Sequence, residues 1–542
     1  MPFPSRRSFL SHSAAALAAS ACALPAATPR PNIVVVLVDD MGFSDLGCYG
    51  SEIPTPNLDK LAANGLRFTQ FYNTARCSPS RAALLTGLYP HNAGMGHLDN
   101  LIQEGSRGYT GRLSDECVTM AEVLGGAGYG TSMTGKWHLG QKNGTPPWKR
   151  GFDGTLNAIA GGIYFPRQKT GPKGTPIELF LNGRSVASDS SEVGDSWYSP
   201  DLWTDFALRF IDESIQKKKP FFHYLAHNAP HFPLMAPPED IAKFRGKFKE
   251  GWDKLREKRY ARQTEMGLIK PAWRLTERPP ESPAWDSLTP EQQDRFDHIM
   301  AIYAAILARI DRSIGTLVEG LRTRGVLENT LILFLSDNGG NAEAGPDGRT
   351  VGEHWGDAES NVFLGMNWAT LNNTPFRRYK HFSHEGGIAT PLIAHWPAGI
   401  PAARRGTFEH QPGHLVDIMS TAVDITGAPY PTVRNGHKIL PQAGTSLAPA
   451  FKGQKLKRTE PIFFFHEGNR GVRSGKWKLV AKYMGPWELY DMDADRTELR
   501  DRIAEQPALA KNLAARWDAW AARTHGDAWI GPVRNAWGEE VK

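Results

Sequence analysis

Two pairs of oxygen-bearing side chains stand at the ends of branched apolar runs: Asp39-Asp40 after 33–38, and Asp337-Asn338 after 331–335 and Ser336. Adjacent carboxylates repel each other unless a positive charge lies between them, and hard oxygen donors suit Ca²⁺ or Mg²⁺. Gly339-Gly340 lets the backbone come close beside the second pair. Either pair alone could be an ordinary strand-end turn or cap. Two of them in one sheet favour a bound cation. Arg81, Lys136 and Lys380, with His138 and His231, lie in further polar clusters along the chain. A metal with several cationic side chains and imidazoles implies a tetrahedral oxyanion, sulfate or phosphate, as the recognised group.

These residues need a frame that brings distant segments to one edge. The runs 33–38 and 331–335 are apolar without alternation, as in strands buried on both faces, and 130–134, 220–226 and 391–395 are further candidate strands. Helical patterns lie between them, such as 55–65, with Thr55 as cap, Pro56 in the first turn and Gly65 as terminator. The order predicts an α/β fold: a large mixed, mainly parallel sheet sandwiched by helices. If these strands run parallel, their carboxyl ends share one edge, where open α/β sheets bind ligands. Residues 243–298 are charged and rich in Trp and Pro, and read as an insertion over that edge before a long amphipathic helix at 299–322. Short antiparallel strands at 461–466, 477–483 and 487–490 and a helix near 508–522 predict a smaller C-terminal α+β domain.

With 542 residues and a formal net charge of +6, part of it from Arg6 and Arg7, the chain has no basic surplus that calls for a nucleic acid partner. Ser5-Arg6-Arg7-Ser8-Phe9-Leu10 and the Ala-rich run that follows resemble a twin-arginine signal peptide over 1–27, which implies a periplasmic or secreted protein. Ala19 stands where a lipid-anchor motif around Cys22 would want Leu, and no other run is long enough to span a bilayer. Of four cysteines, Cys48, Cys77 and Cys117 remain in the mature chain, an odd number that cannot all pair. Cys77 precedes a helix expected from Ser80, so a thiolate there would sit at the positive end of its dipole and could act as a nucleophile.

The stretch Cys77-Ser78-Pro79-Ser80-Arg81, continued by Leu85-Thr86-Gly87, resembles the signature of type I sulfatases of the alkaline phosphatase superfamily. Further blocks match in order: Val38-Asp39-Asp40, Gly135-Lys136-Trp137-His138-Leu139-Gly140, Ala229-Pro230-His231, Ser336-Asp337-Asn338-Gly339, and Lys380 ahead of Glu385-Gly386-Gly387. The resemblance implies an alkaline phosphatase-like catalytic domain over 31–455 and a C-terminal subdomain over 456–542. It implies that a maturase oxidises Cys77 to Cα-formylglycine in the cytoplasm, before the folded chain meets the twin-arginine translocase. Asp39, Asp40, Asp337, Asn338 and the modified Cys77 would bind Ca²⁺, with Mg²⁺ as the alternative. Arg81, Lys136, His138, His231 and Lys380 would hold the formylglycine and the sulfate.

In the mechanism so implied, the aldehyde hydrates and one hydroxyl, deprotonated by Asp337, attacks sulfur while His231 protonates the leaving alcohol. A covalent sulfo-enzyme results. His138 then deprotonates the second hydroxyl and sulfate leaves. The block 373–382 is most similar to bacterial arylsulfatases, so aryl sulfates or sulfated carbohydrates are the expected substrates. Two alternatives stay open at this point: a phosphate or phosphonate monoester hydrolase on the same site, and an inactive protein that binds sulfated glycans.

Overall fold

The computed structural model describes residues 30–170 and 175–524. Its central strand, Asn32–Val38, is buried on both faces. Val34, Val36 and Val38 enter one apolar core and Ile33, Val35 and Leu37 the other, which is why the run does not alternate. Thr330–Ser336 pairs with it in parallel on one side and Phe221–Ala226 on the other. Gly130–Lys136 and Gly154–Ala158 extend the parallel set. The strands belong to an eleven-stranded mixed sheet.

The expectation that 391–395 runs parallel is corrected: Ala389–His395 is antiparallel both to Thr330–Ser336 and to Leu66–Tyr72. Its carboxyl end therefore points away from the edge where Asp39 and Asp337 lie. The segment that leads into it, which carries Lys380 and the helical turn Glu385–Ile388, reaches that edge instead.

Helices cover both faces. Cys77–Thr86, Met120–Gly126 and Val416–Thr426 contribute to the core on one side, Ser199–Gln216 and the long helix Pro290–Thr323 to the other. The long helix begins nine residues before the expected 299, because Thr289 and Gln292 form a capping box and Pro290 opens the first turn. The segment expected as a surface insertion contributes to the core: Trp252 and Trp285 pack edge to face, with ring centroids 4.8 Å apart, and Trp252 meets Trp368 at 5.3 Å. Its helix Gly251–Glu265 sends Arg259 onto Asp45 and Glu52, just beyond the first strand.

The C-terminal part is an antiparallel sheet of four strands, Ile462–His466, Asn469–Ser474, Trp477–Ala481 and Glu488–Asp491, with Pro507–Thr524 packed on it through Leu513, Trp517 and Trp520. The strand at 469–474 was not expected from the sequence. The signal-peptide reading of 1–27, and the last residues of 456–542, fall outside the described residues. Among those described, no helix is long and apolar enough to cross a membrane.

Candidate active site

The site forms where the parallel strands end. Val38 lies beside Ser336 in register, so Asp39-Asp40 and Asp337-Asn338 emerge together. Asp40 adopts φ 68°, a left-handed turn that non-glycine residues seldom make, and its backbone N–H donates to Asp337 Oδ1 at 3.4 Å. Asn338 Nδ2 donates to Asp40 Oδ1 at 2.7 Å. Beyond Phe221–Ala226, two strands from Asn32–Val38, Gly135 has φ 104°, and a Cβ there would fall 1.9 Å from the Ala226 carbonyl oxygen. Only glycine lets the chain turn so close to its neighbour and deliver Lys136 to the edge.

All four predicted oxygen donors are buried and surrounded by cations. Lys136 Nζ lies 2.6 Å from Asp39 Oδ2, and Lys380 Nζ 2.7 Å from Asp40 Oδ1. Arg81 donates to Asp337 Oδ2 through Nη2 at 2.8 Å and Nε at 3.1 Å, and approaches Asp39 Oδ2 at 3.4 Å. Burial would raise the Asp39 and Asp40 carboxyls. Lys136, His231 and Arg81 override it for Asp39, and Lys380 and His231 for Asp40, so both fall below the usual range. Asp337 goes the other way: burial and the charge of Asp39 push it well above that range against the pull of Arg81.

Two oxygens of this cluster, Asp39 Oδ1 and Asn338 Oδ1, are buried without a hydrogen-bond partner. Orphaned oxygens in a dry site are costly, and here they converge with two further carboxylates on adjacent strand ends. That donor set is all oxygen and fits a hard divalent cation. Asp39, Asp40, Asp337 and Asn338 would hold it.

Cys77 is 2% exposed and is the first residue of the helix Cys77–Thr86, which starts three residues earlier than expected. It lines one cavity with Lys136, His138, His231 and Lys380, which places the thiol among these predicted site residues. His231 Nε2 lies 3.7 Å from Asp40 Oδ2, while Nδ1 is 2.7 Å from the Phe232 carbonyl and must donate to it. Burial lowers the proton affinity of His231 more than Asp40 and Asp39 raise it. His138 has φ 54°, with Nε2 3.5 Å from Asp99 Oδ1 and Nδ1 buried without a partner. Burial, then Lys136, holds it far below the ordinary imidazole range, so it is a neutral base.

Sequence reasoning missed several groups that complete the site. Asn341 Nδ2 donates to Asp40 Oδ2 at 2.6 Å, and Glu343 lies 3.8 Å from Lys380 and 3.1 Å from Arg76. Asn341 follows the Asp337-Asn338-Gly339-Gly340 block directly, which was the available signal. Above these residues opens a cavity of about 870 Å³ lined by Arg76, Cys77, Lys136, His138, His231 and Lys380, among others. Cys48 and Cys117 are free and buried elsewhere.

The family model described as Sulfatase matches residues 31–428. An arylsulfatase of Klebsiella aerogenes is 36% identical over 77% of this chain and 91% of its own, and an uncharacterised sulfatase of Schizosaccharomyces pombe is 32% identical over 92% and 95%. The crystal structure of Ps i-CgsB in complex with k-i-k-neocarrahexaose is 28% identical and superimposes with a TM-score of 0.67 over 92% of this chain and 94% of that one. That family generally works through formylglycine and a divalent metal, and its model spans every strand end that carries a predicted site residue: the chain belongs to the sulfatase family and is a sulfuric ester hydrolase.

Proposed function

We propose that the protein hydrolyses sulfate monoesters of carbohydrates, and of aryl alcohols in assay, with Cys77 as the residue converted to formylglycine and Ca²⁺ as the cation. The observation that carries this reading is the position of Cys77. It is a buried helix-opening residue that lines, with Lys136, His138, His231 and Lys380, a cavity large enough for a sugar and part of its neighbour. The Klebsiella relative is named for aryl sulfates and the Ps i-CgsB structure holds an oligosaccharide. Phe232 and Phe363, stacked with centroids 4.1 Å apart, offer this cavity an apolar wall for a ring.

The hydrated aldehyde supplies two geminal hydroxyls, one to attack sulfur and one whose deprotonation releases sulfate. The cation, when bound, supplies charge stabilisation on the sulfate oxygens and acidifies the attacking hydroxyl. The remaining work falls to side chains present in the chain. Asp337 accepts the proton of the attacking hydroxyl. Lys136 and Lys380 stabilise charge on the sulfate oxygens, while Arg81, bound to Asp337 and Asp39, fixes the residues around Cys77. His231 has Nδ1–H committed to the Phe232 carbonyl, which leaves Nε2 bare in the neutral ring; it protonates the leaving alcohol from Nε2 as the imidazolium, the form Asp40 and Asp39 favour against burial. His138, neutral, takes the proton of the second hydroxyl at Nδ1.

Maturation in the cytoplasm by a formylglycine-generating enzyme and export by the twin-arginine route complete the proposal, and rest on the residues 5–10 pattern. The test is mass spectrometry of the Cys77 peptide from cells that carry the maturase, alongside turnover of 4-nitrophenyl sulfate and 4-nitrophenyl phosphate. Aldehyde at residue 77 with preference for the sulfate is expected. A fully active enzyme whose Cys77 remains a thiol would sink the mechanism.

A further inference from the structure

Arg76 stands one residue before Cys77 at the mouth of the helix Cys77–Thr86 and lines the same cavity. Its side chain is held from one side only. Nη1 donates to Glu343 Oε1 at 3.1 Å and to His381 Nε2 at 2.7 Å. Nε is buried without a partner, and Nη2 makes no hydrogen bond with any described residue. With 6% of the residue exposed, the guanidinium is largely dehydrated and keeps unused donors at Nε and Nη2. That arrangement is costly unless an anion completes it.

The surroundings of Arg76 orient it without cancelling its charge. Glu343 is shared with Lys380 at 3.8 Å and His381 at 3.6 Å, so one carboxylate serves two cations. Because arginine can only donate, His381 Nε2 accepts and its hydrogen resides on Nδ1, which donates to Glu467 Oε2 at 2.8 Å. Glu467 Oε1 accepts from His97 Nε2 at 2.9 Å, and His97 Nδ1 takes the Leu98 N–H at 2.7 Å, which fixes that tautomer as well. Glu467 belongs to the turn between the strands Ile462–His466 and Asn469–Ser474, so the C-terminal sheet aligns Arg76 through an uncharged imidazole. Lys142 and Arg349 add two more cations to the cavity lining.

We propose that Arg76 forms a second anion subsite, which takes a carboxylate or an additional sulfate of the substrate beside the ester being cleaved. The proposal rests on the sulfatase reading above and narrows its substrate class to sulfate esters that carry another negative group. A planar guanidinium with two donors free presents the fork that carboxylate and sulfate oxygens fit.

Binding to the full-length Cys77→Ala protein, which cannot turn over, separates this subsite from catalysis and from any effect of Arg76 on maturation. Calorimetry with Ca²⁺ present would compare 2-, 3- and 4-carboxyphenyl sulfate with their carboxamide counterparts, which differ in charge but hardly in shape. At least one carboxylate should bind about 10-fold or more tightly than its amide. Arg76→Gln on that background should bring the pair within about 2-fold, Arg76→Lys should keep part of the preference, and Glu467→Gln should weaken it through His381. No preference for any carboxylate, or one that survives Arg76→Gln in a protein with an unchanged melting profile, overturns the subsite. Failure of phenyl sulfate and all its derivatives to bind the Cys77→Ala protein would instead overturn the sulfatase-site reading beneath it.

Discussion

Lys478 offers a test of how the C-terminal sheet is locked to the segment that carries Lys380. Its side chain is fully buried, with Nζ 2.8 Å from Glu385 Oε1 and 2.7 Å from Glu498 Oε1, both also fully buried. Arg496 Nε donates to Glu385 Oε2 at 2.8 Å, whereas the nearest other cation to Glu498 is Arg377, at 3.8 Å. Glu498 therefore depends on Lys478 for its charge, and it also accepts the Glu385 N–H at 3.1 Å, at the start of the turn after the Lys380 segment. At an effective dielectric of about 20, a pair of unit charges about 2.8 Å apart attracts by about 6 kcal/mol. The ammonium lost its hydration to get there, so the net cost of breaking a buried pair is about 3–5 kcal/mol. Lys478→Met keeps the chain length, removes the charge and should cost about 4 kcal/mol. At about 2.1 cal/mol/K per residue over roughly 500 residues, that is a drop of about 4 °C in the unfolding midpoint. Adding Glu498→Gln removes the stranded charge while keeping an oxygen for the Glu385 N–H. The double variant should recover about 2 kcal/mol of the loss in calorimetry or denaturant melts. A Lys478→Met shift below about 1 kcal/mol, or a double variant no more stable than the single one, would refute the claim that this network is held by charge.

Three further outcomes are expected. Asn341→Ala deprives Asp40 Oδ2 of its 2.6 Å donor and should lower kcat/KM about 10-fold, since hydrogen bonds to charged groups contribute about 1.5–3 kcal/mol, with little change in melting temperature. Chelation should abolish 4-nitrophenyl sulfate turnover and lower the unfolding midpoint, because Asp39 and Asn338 regain orphaned buried oxygens; Ca²⁺ should restore both more fully than Mg²⁺. Burial holds His223 and His414 at about 3 against an ordinary 6.5, so the unfolded chain binds protons first, and each should cost about 2 kcal/mol of stability between pH 7.5 and pH 5. His223→Gln should flatten that part of the profile, and an unchanged slope would count against a neutral buried imidazole.

The strand ends were legible in the sequence for a physical reason. Strands buried on both faces, such as Asn32–Val38 and Thr330–Ser336, must be apolar throughout, so a polar pair immediately after them is both conspicuous and geometrically constrained. Asp39, Asp40, Asp337 and Asn338 could be assigned to one edge on that basis, and Lys136 followed from the next strand. Leu66–Tyr72 hid because Arg67, Thr69 and Gln70 read as surface residues. In the fold their polar atoms are met by Cys48, Gly406, Glu409, His410 and Arg473, which lie as far as about 400 residues away in sequence. Strand direction was illegible too, since apolar content is the same either way; the antiparallel course of Ala389–His395 emerges only from pairing. Arg76, Glu343 and His381 belong to a third class. Each sits in a loop beside a recognisable motif, and its meaning depends on Glu467, delivered by the separate C-terminal sheet. Spacing within the chain reveals Asp39, Asp40, Lys136, Asp337 and Asn338, because strand ends fix them. The groups that choose among sulfate esters are set by how loops and the second sheet dock, so substrate class becomes readable at Arg76 only once that docking is in view.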